Sequence, residues 1–299
     1  MNYESLRQEA YEANMKIPEN NLALYTWGNV SAFDKDKCVF AIKPSGVPYP
    51  DLTVESMVIV DIEGNKVEGS MNPSSDTPTH AVLYKEFVVN GGAKIGGIIH
   101  THSSYAVSWA QAVRSVPLFG TTHADHIQKA IPCTPYLSKE AVENDYEKET
   151  GLLIVKHFKE LGLNPSEINM VLCGGHGPFA WGETAAKSVY NGTVMEEICK
   201  MALNTLALNP NANELPSYIV DKHYLRKRYL SARYLATGIS FTGSSVRDTL
   251  IVSPIPSERR ADIPTADFIL PPSPLPASVT PRCRGKTTPS SCICLANRR

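Results

Sequence analysis

Ile95-Gly-Gly-Ile98-Ile99-His100-Thr101-His102 is the stretch that decides how this chain reads. An apolar run of this length, bounded by glycine, predicts a buried strand over 95–99. Side chains two apart in an extended chain point the same way, so His100 and His102 leave the strand end on one face. A third histidine, His176, sits in Cys173-Gly-Gly-His176-Gly-Pro-Phe179, a glycine-rich turn after the apolar run Met170-Val171-Leu172. Three imidazoles from two strand ends form the donor set of a catalytic divalent metal with a position left open for substrate.

Outward from this stretch, strands and helices alternate. Tyr3, Leu6, Ala10, Ala13 and Ile17 follow helical spacing up to Pro18. Short β-rich runs fall at Cys38–Ile42 and Met57–Ile62, and a further strand is expected at Met170–Cys173. Thr77-Pro78 opens a helix that continues to Val88, because a capping hydroxyl and a first-turn proline both favour a start. Further helices are expected over Ser103–Ala112, Lys139–Leu161, Glu183–Leu208 and Glu214–Tyr229, with Gly151 as the place where the second would kink. The interspersion predicts a single three-layer α/β/α domain over residues 1–230, with a central mixed, largely antiparallel sheet.

Residues 231–299 differ. They carry a net charge of +5, against −6 for residues 1–230, and nine of the 22 prolines lie beyond residue 250. Pro271-Pro-Ser-Pro-Leu-Pro276 excludes helix and central strand, so this Pro/Ser/Arg-rich extension reads as disordered. The acidic body carries no overall nucleic-acid signature. No apolar run approaches a membrane span, and the N-terminus has no signal-peptide core, which makes the cytoplasm the expected compartment. The scattered cysteines read as buried thiols of a reducing compartment.

Four further segments look chemical. Trp27-Gly28-Asn29-Val30-Ser31, Lys43-Pro44-Ser45-Gly46 and Pro73-Ser74-Ser75-Asp76-Thr77 each place small or polar residues at an element end. Backbone N–H groups, hydroxyls and a lysine are what a phosphate monoester needs. The fourth is the polar knot Gly120-Thr-Thr-His123-Ala-Asp125.

Taken in order, Trp27–Ser31, Lys43–Gly46, Ser74–His80, His100–His102, Thr121–Asp125 and His176-Gly-Pro-Phe-Ala-Trp-Gly182 resemble the L-ribulose-5-phosphate 4-epimerase pattern of the class II aldolase/epimerase superfamily. The resemblance extends to Asp221-Lys-His223-Tyr-Leu-Arg226, roughly three-quarters of the chain. It implies epimerisation at C4 of L-ribulose 5-phosphate by retro-aldol cleavage to a dihydroxyacetone enediolate and glycolaldehyde phosphate. Re-addition to the other aldehyde face then gives D-xylulose 5-phosphate. It further implies a metal on His100, His102 and His176, expected as Zn²⁺ although the imidazoles would accept Mn²⁺ or Co²⁺, with Asp76 as a fourth ligand in the resting state. The phosphate would lie among Gly28, Asn29, Ser45, Gly46, Ser74 and Ser75, with Lys43 supplying charge. Asp125 and a C-terminal tyrosine would serve as acid/base groups on opposite faces. Sites in this family lie between subunits of a cyclic homotetramer, and His223 and Arg226 match positions near the shared site.

Two departures stand out. The family's ending dissolves after Lys227, so Tyr234 takes the tyrosine position only by gapless counting, with Tyr229 or no residue as alternatives. An added segment or a change of reading frame would account for both the lost ending and the tail. Gly174-Gly175 stand before His176 where related sequences often carry a polar residue, which is expected to loosen that loop. The competing readings are a class II aldolase of the fuculose-phosphate type and a disabled member that binds metal without turnover. Asp76 speaks for the epimerase, since the aldolases place a longer Glu there. His123 is expected to orient Asp125, and His80 to pack or cap locally.

Overall fold

The computed structural model describes residues 2–226. Residues 227–299, with Tyr229, Tyr234 and the proline-rich extension, lie outside the described residues, and so does the expected boundary at 230.

Seven strands form one sheet: β1 (Asn29–Asp34), β2 (Val39–Ile42), β3 (Val58–Asp61), β4 (Lys66–Glu68), β5 (Gly97–His100), β6 (Met170–Cys173) and β7 (Gly177–Gly182). Their spatial order is β4-β3-β2-β1-β5-β7-β6. Every ladder is antiparallel, as the expected largely antiparallel sheet requires, and none of the ladders supplies the parallel pair that a mixed sheet would add. The only parallel pairing among the described residues is an isolated bridge between Cys133 and Leu172. β2, β3, β5 and β6 fall where the apolar runs put them. β1 is buried on both faces as far as Phe33 yet carries Asn29 and Ser31, so its sequence does not look like a central strand. β7 begins Gly177-Pro178, and proline is tolerated there because it is at the strand's start.

Helices cover both faces. α1 (Glu4–Glu19), α3 (Ser104–Gln111) and α6 (Ala185–Leu208) pack together over β1, β5 and β7. α2 (Thr77–Leu83), which continues into a wider turn over Tyr84–Val89, packs against α5 (Lys139–Glu160). The second layer is bound to the sheet through aromatic rings. Phe87, Phe158 and Trp181 of β7 form a triangle with centroids 5.4, 5.3 and 5.4 Å apart, and such pairs contribute about 0.5–1.5 kcal/mol each beyond buried area. A four-residue helix, α4 (Thr121–Ala124), precedes Asp125, and residues 217–226 are helical.

α5 bends, though not at the expected place. Gly151 is regular helix, and a side chain there would strike Val82 Cβ at 2.8 Å, so the glycine serves close packing against α2. The break is at Asp145, with φ −154° and ψ 88°, whose carboxylate accepts from Lys148 N at 3.2 Å and caps the second half.

Candidate metal centre and phosphate pocket

His100 ends β5, His102 follows two residues later, and His176 sits in the turn between β6 and β7. Pairing of β5 with β7 sets His100 opposite Phe179, which brings the two histidine segments together. One ligand atom from each of His100, His102 and His176 lies within 4.8 Å of the others. Their ring centroids are 4.9, 4.7 and 5.3 Å apart.

The protonation states suit a metal. His100 Nδ1 lies 2.9 Å from the Pro178 carbonyl oxygen, which can only accept, so Nδ1 carries the proton and Nε2 presents a lone pair. That Nε2 is buried without a hydrogen-bond partner. Burial pushes His176 down to about 3, with the neighbouring His100 acting in the same direction. Burial, seconded by His100, lowers His102 as well. Three converging imidazoles, with unpartnered nitrogens on His100 and His176, are the donor set a borderline divalent ion takes, so the residues fit the group.

Asp76 stands outside this cluster of three. Its place at the N-terminus of α2 would suit a cap, but its side chain makes no capping hydrogen bond. Instead Oδ2 accepts from Asn29 Nδ2 at 2.6 Å. Burial works to raise this carboxyl, yet the adjoining His100, His80 and His176 imidazoles, with the Asn29 bond, hold it below the usual carboxylate range. An ionised Asp76 therefore faces the triad while held by Asn29. The Asn29 bond occupies only Oδ2, so Oδ1 stays available as the fourth ligand expected from sequence.

A cavity of about 590 Å³ opens beside the triad. Gly28, Asn29, Lys43, Ser45, Gly46, Ser74, Ser75 and Asp76 line it together with His102 and His176, so the whole expected phosphate set meets at one place. Gly28 is required by the approach of β1 to β5: its φ is +78°, and a Cβ there would lie 2.9 Å from the His100 carbonyl oxygen. Lys43 is only 2% exposed. Its Nζ reaches the Thr26 and Pro44 carbonyls at 3.3 and 3.4 Å and lies 5.2 Å from the Tyr49 ring centroid. No carboxylate pairs with it among the described residues, and burial pulls it down to about 8. An unpaired buried ammonium beside hydroxyls is a waiting partner for a phosphate.

Asp125, His223 and Arg226 form a second cluster. His223 Nδ1 donates to Asp125 Oδ1 at 3.0 Å, and Arg226 lies 3.5 Å from the same oxygen. None of the three lines the 590 Å³ cavity. Within one chain the structure thus assembles the metal and phosphate groups and leaves the acid/base group apart. His223 orients Asp125 where His123 was expected to; His123 Nε2 donates to the Lys129 carbonyl instead, at 3.0 Å. His80 packs as expected, with Nδ1 2.7 Å from Ser31 Oγ.

The glycine turn is tight rather than loose. A Cβ at Gly174 would lie 2.6 Å from the Thr134 carbonyl oxygen, and one at Gly175, where φ is +74°, would lie 2.7 Å from the Tyr136 ring. Sequence reading missed Tyr146 and Glu147, which also line the cavity. They lie 30 and 29 positions before His176, and no local motif marks them.

This fold and site define a metal-dependent scaffold for carbon–carbon bond chemistry on sugar phosphates. Residues 8–203 match the class II aldolase and adducin N-terminal domain, and the chain belongs to that family. It is 44% identical over 223 residues to L-ribulose-5-phosphate 4-epimerase UlaF of Salmonella paratyphi C, covering 75% of this chain and 95% of the relative. The same figures hold for the UlaF protein of Salmonella choleraesuis. Among solved structures, an L-fuculose 1-phosphate aldolase shares the fold with a TM-score of 0.62 at 24% identity, covering 76% of this chain and 96% of that one. The L-fuculose-1-phosphate aldolase of Thermus thermophilus gives 0.51 at 21%, covering 70% of this chain and 98% of that one. Among the described residues no helix is long and apolar enough to cross a membrane.

Proposed function

We propose that this chain is an L-ribulose-5-phosphate 4-epimerase that interconverts its substrate with D-xylulose 5-phosphate by retro-aldol cleavage and re-addition. The observation that carries the reading is a cavity that joins the histidine triad, through His102 and His176, to a buried lysine without a counter-ion. A ketose phosphate has the matching parts, a vicinal oxygen pair for a metal and a dianion at the other end. The 44% identical epimerases support the choice within the family.

When bound by His100, His102 and His176, a divalent ion, for which we favour Zn²⁺, supplies Lewis acidity toward the developing enediolate. Lys43 with Gly28, Asn29, Ser45, Gly46, Ser74 and Ser75 holds the phosphate, so the cleaved aldehyde stays tethered while it turns. Asp76, kept ionised by the adjoining His100, His80 and His176 and by its Asn29 bond, adds negative charge beside the triad and is too short to act as the aldolases' Glu does. Asp125, oriented by His223 and Arg226, exchanges a proton with the C4 oxygen on one face, and we assign the other face to Tyr234. The separation of Asp125 from the cavity supports a homotetramer in which each site takes Asp125 from a neighbour. Pentose catabolism in the cytoplasm is the matching setting.

The test is product analysis of the Zn²⁺-loaded full chain given L-ribulose 5-phosphate. D-xylulose 5-phosphate that disappears with chelator is the expected result. Glycolaldehyde phosphate and dihydroxyacetone without epimer would replace this reading by an aldolase. Metal uptake with no turnover would replace it by a disabled member of the family.

A further inference from the structure

The three histidines are not held alike. His100 has the Pro178 carbonyl on Nδ1 and stacks on Phe179, with centroids 4.3 Å apart and planes at 23°. His102 is exposed. His176 has no hydrogen bond on either ring nitrogen among the described residues, and its Nδ1 is buried. Whichever nitrogen takes a metal, the other lacks the carbonyl or carboxylate that usually fixes a ligating imidazole.

The backbone around His176 is pinned, since Gly175 N donates to the Ala110 carbonyl at 2.8 Å and His176 N to that of Cys173 at 2.9 Å. The side chain is not. It borders the 590 Å³ cavity on one side and a second cavity of about 200 Å³ on the other, lined by Thr134, Tyr136, Val142 and Leu153 among others. An imidazole with free space on both sides has somewhere to swing. Tyr146 is the other residue that borders both cavities, and its ring centroid lies 5.7 Å from that of His176 with planes at 55°.

The backbone that carries the Tyr146 ring is held on both sides. Asp145, just before it, breaks the helix, and the Tyr146 carbonyl accepts from Thr150 Oγ1 at 2.8 Å. The next carbonyl, Glu147 O, accepts from Thr79 Oγ1 on α2, which anchors this turn of α5 to the helix that begins at Asp76.

We propose that Tyr146 is a positioning residue for the third metal ligand, its ring wall doing for His176 what a backbone carbonyl does for His100. The role belongs to the ring and not to the hydroxyl. This rests on reading the three histidines as the metal site, and the experiment separates the two claims.

Co²⁺ is titrated into the metal-free full chain for the wild type, Tyr146→Ala, Tyr146→Leu and Tyr146→Phe. Affinity is read by competition with a chromogenic chelator, and ligand geometry by the visible d–d bands. Removal of an outer-shell partner typically costs roughly 10–100-fold in metal affinity. We expect that loss, with altered bands, for Tyr146→Ala, and near wild-type affinity and bands for Tyr146→Phe. If Tyr146→Ala does not fold, Tyr146→Leu fills the site without a flat ring and carries the same expectation. Wild-type affinity and bands in the Ala or Leu variant would overturn the inference alone. A Phe variant as impaired as the Ala variant would overturn the assignment to the ring. A wild-type chain that takes up no Co²⁺ would overturn the metal reading and this inference with it.

Discussion

Lys43→Met is expected to make the ligand-free protein more stable and the enzyme worse. Lys43 is charged, 2% exposed, and without a carboxylate partner among the described residues. Burial pulls its pKa from 10.5 to about 8, a shift that corresponds to roughly 3 kcal/mol of unfavourable desolvation at neutral pH. The contacts with the Thr26 and Pro44 carbonyls, at 3.3 and 3.4 Å, are long and return part of this. Methionine keeps the length and the apolar stem without the charge, so the net gain should be about 1–2 kcal/mol, or several degrees in Tm for a domain of this size. The sign with pH follows from linkage. The penalty is present in full below pH 8, where the lysine is charged in both folded and unfolded chains, and fades as pH rises from about 8 to 10.5. The stability difference between variant and wild type should therefore be large at about pH 7 and small near pH 10. The same substitution removes a charge-assisted bond to phosphate worth about 1.5–3 kcal/mol, which predicts a KM raised by roughly one to two orders of magnitude. Thermal denaturation of the metal-free protein across pH, with steady-state kinetics at neutral pH, measures both. A variant that is less stable than wild type at neutral pH, or one with an unchanged KM, would refute the picture of an unpaired cation waiting for an anion.

Three further outcomes follow from the same geometry. Gly28→Ala forces a side chain onto a φ of +78° and within 2.9 Å of the His100 carbonyl; it should cost about 1–2 kcal/mol in backbone strain and lower metal affinity, which denaturant melts and chelator competition would show. Wild-type inorganic phosphate affinity should fall as pH rises through about 8, because Lys43 then loses its charge, and calorimetry on either side of that value compares the two states. His102→Ala and Asp125→Asn should each be inactive alone, and mixing them after dissociation should restore part of the activity, because a mixed assembly then holds some sites with an intact triad and an intact neighbouring Asp125. Failure of every mixture to recover activity would argue that one chain supplies both groups.

Much of the site was legible because its parts are local. His100 and His102 share a strand end by simple alternation, and the small-residue segments at 27–31, 43–46 and 73–77 announce themselves by composition. Four of the seven strands were legible for the same reason, as short apolar runs. The missed strands that frame the site each violate their own pattern. β1 carries Asn29 in a buried position because the site uses it and Ser31 because His80 and Tyr84 bond to it, and β7 opens on Gly177-Pro178, which reads as a turn until β6 is seen to pair with it. The bend of α5 was expected at the glycine and occurs at Asp145, since Gly151 is needed small for contact with Val82.

The amino-acid sequence by itself singled out the three histidines and the segments offered to a phosphate from residue type and local context, and the order of its motifs carried the resemblance to the family. Only the tertiary structure decided which of these face one another. It bound Asp76 to Asn29 through one carboxylate oxygen, set Tyr146 against His176 across 30 residues of chain, gave Asp125 His223 as its partner in place of His123, and left that pair outside the cavity. Those choices depend on how α2 packs against α5 and how the helix at 217–226 packs against Leu118 and Ala124. Packing is settled by the fit of many side chains at once, which no local run of sequence contains.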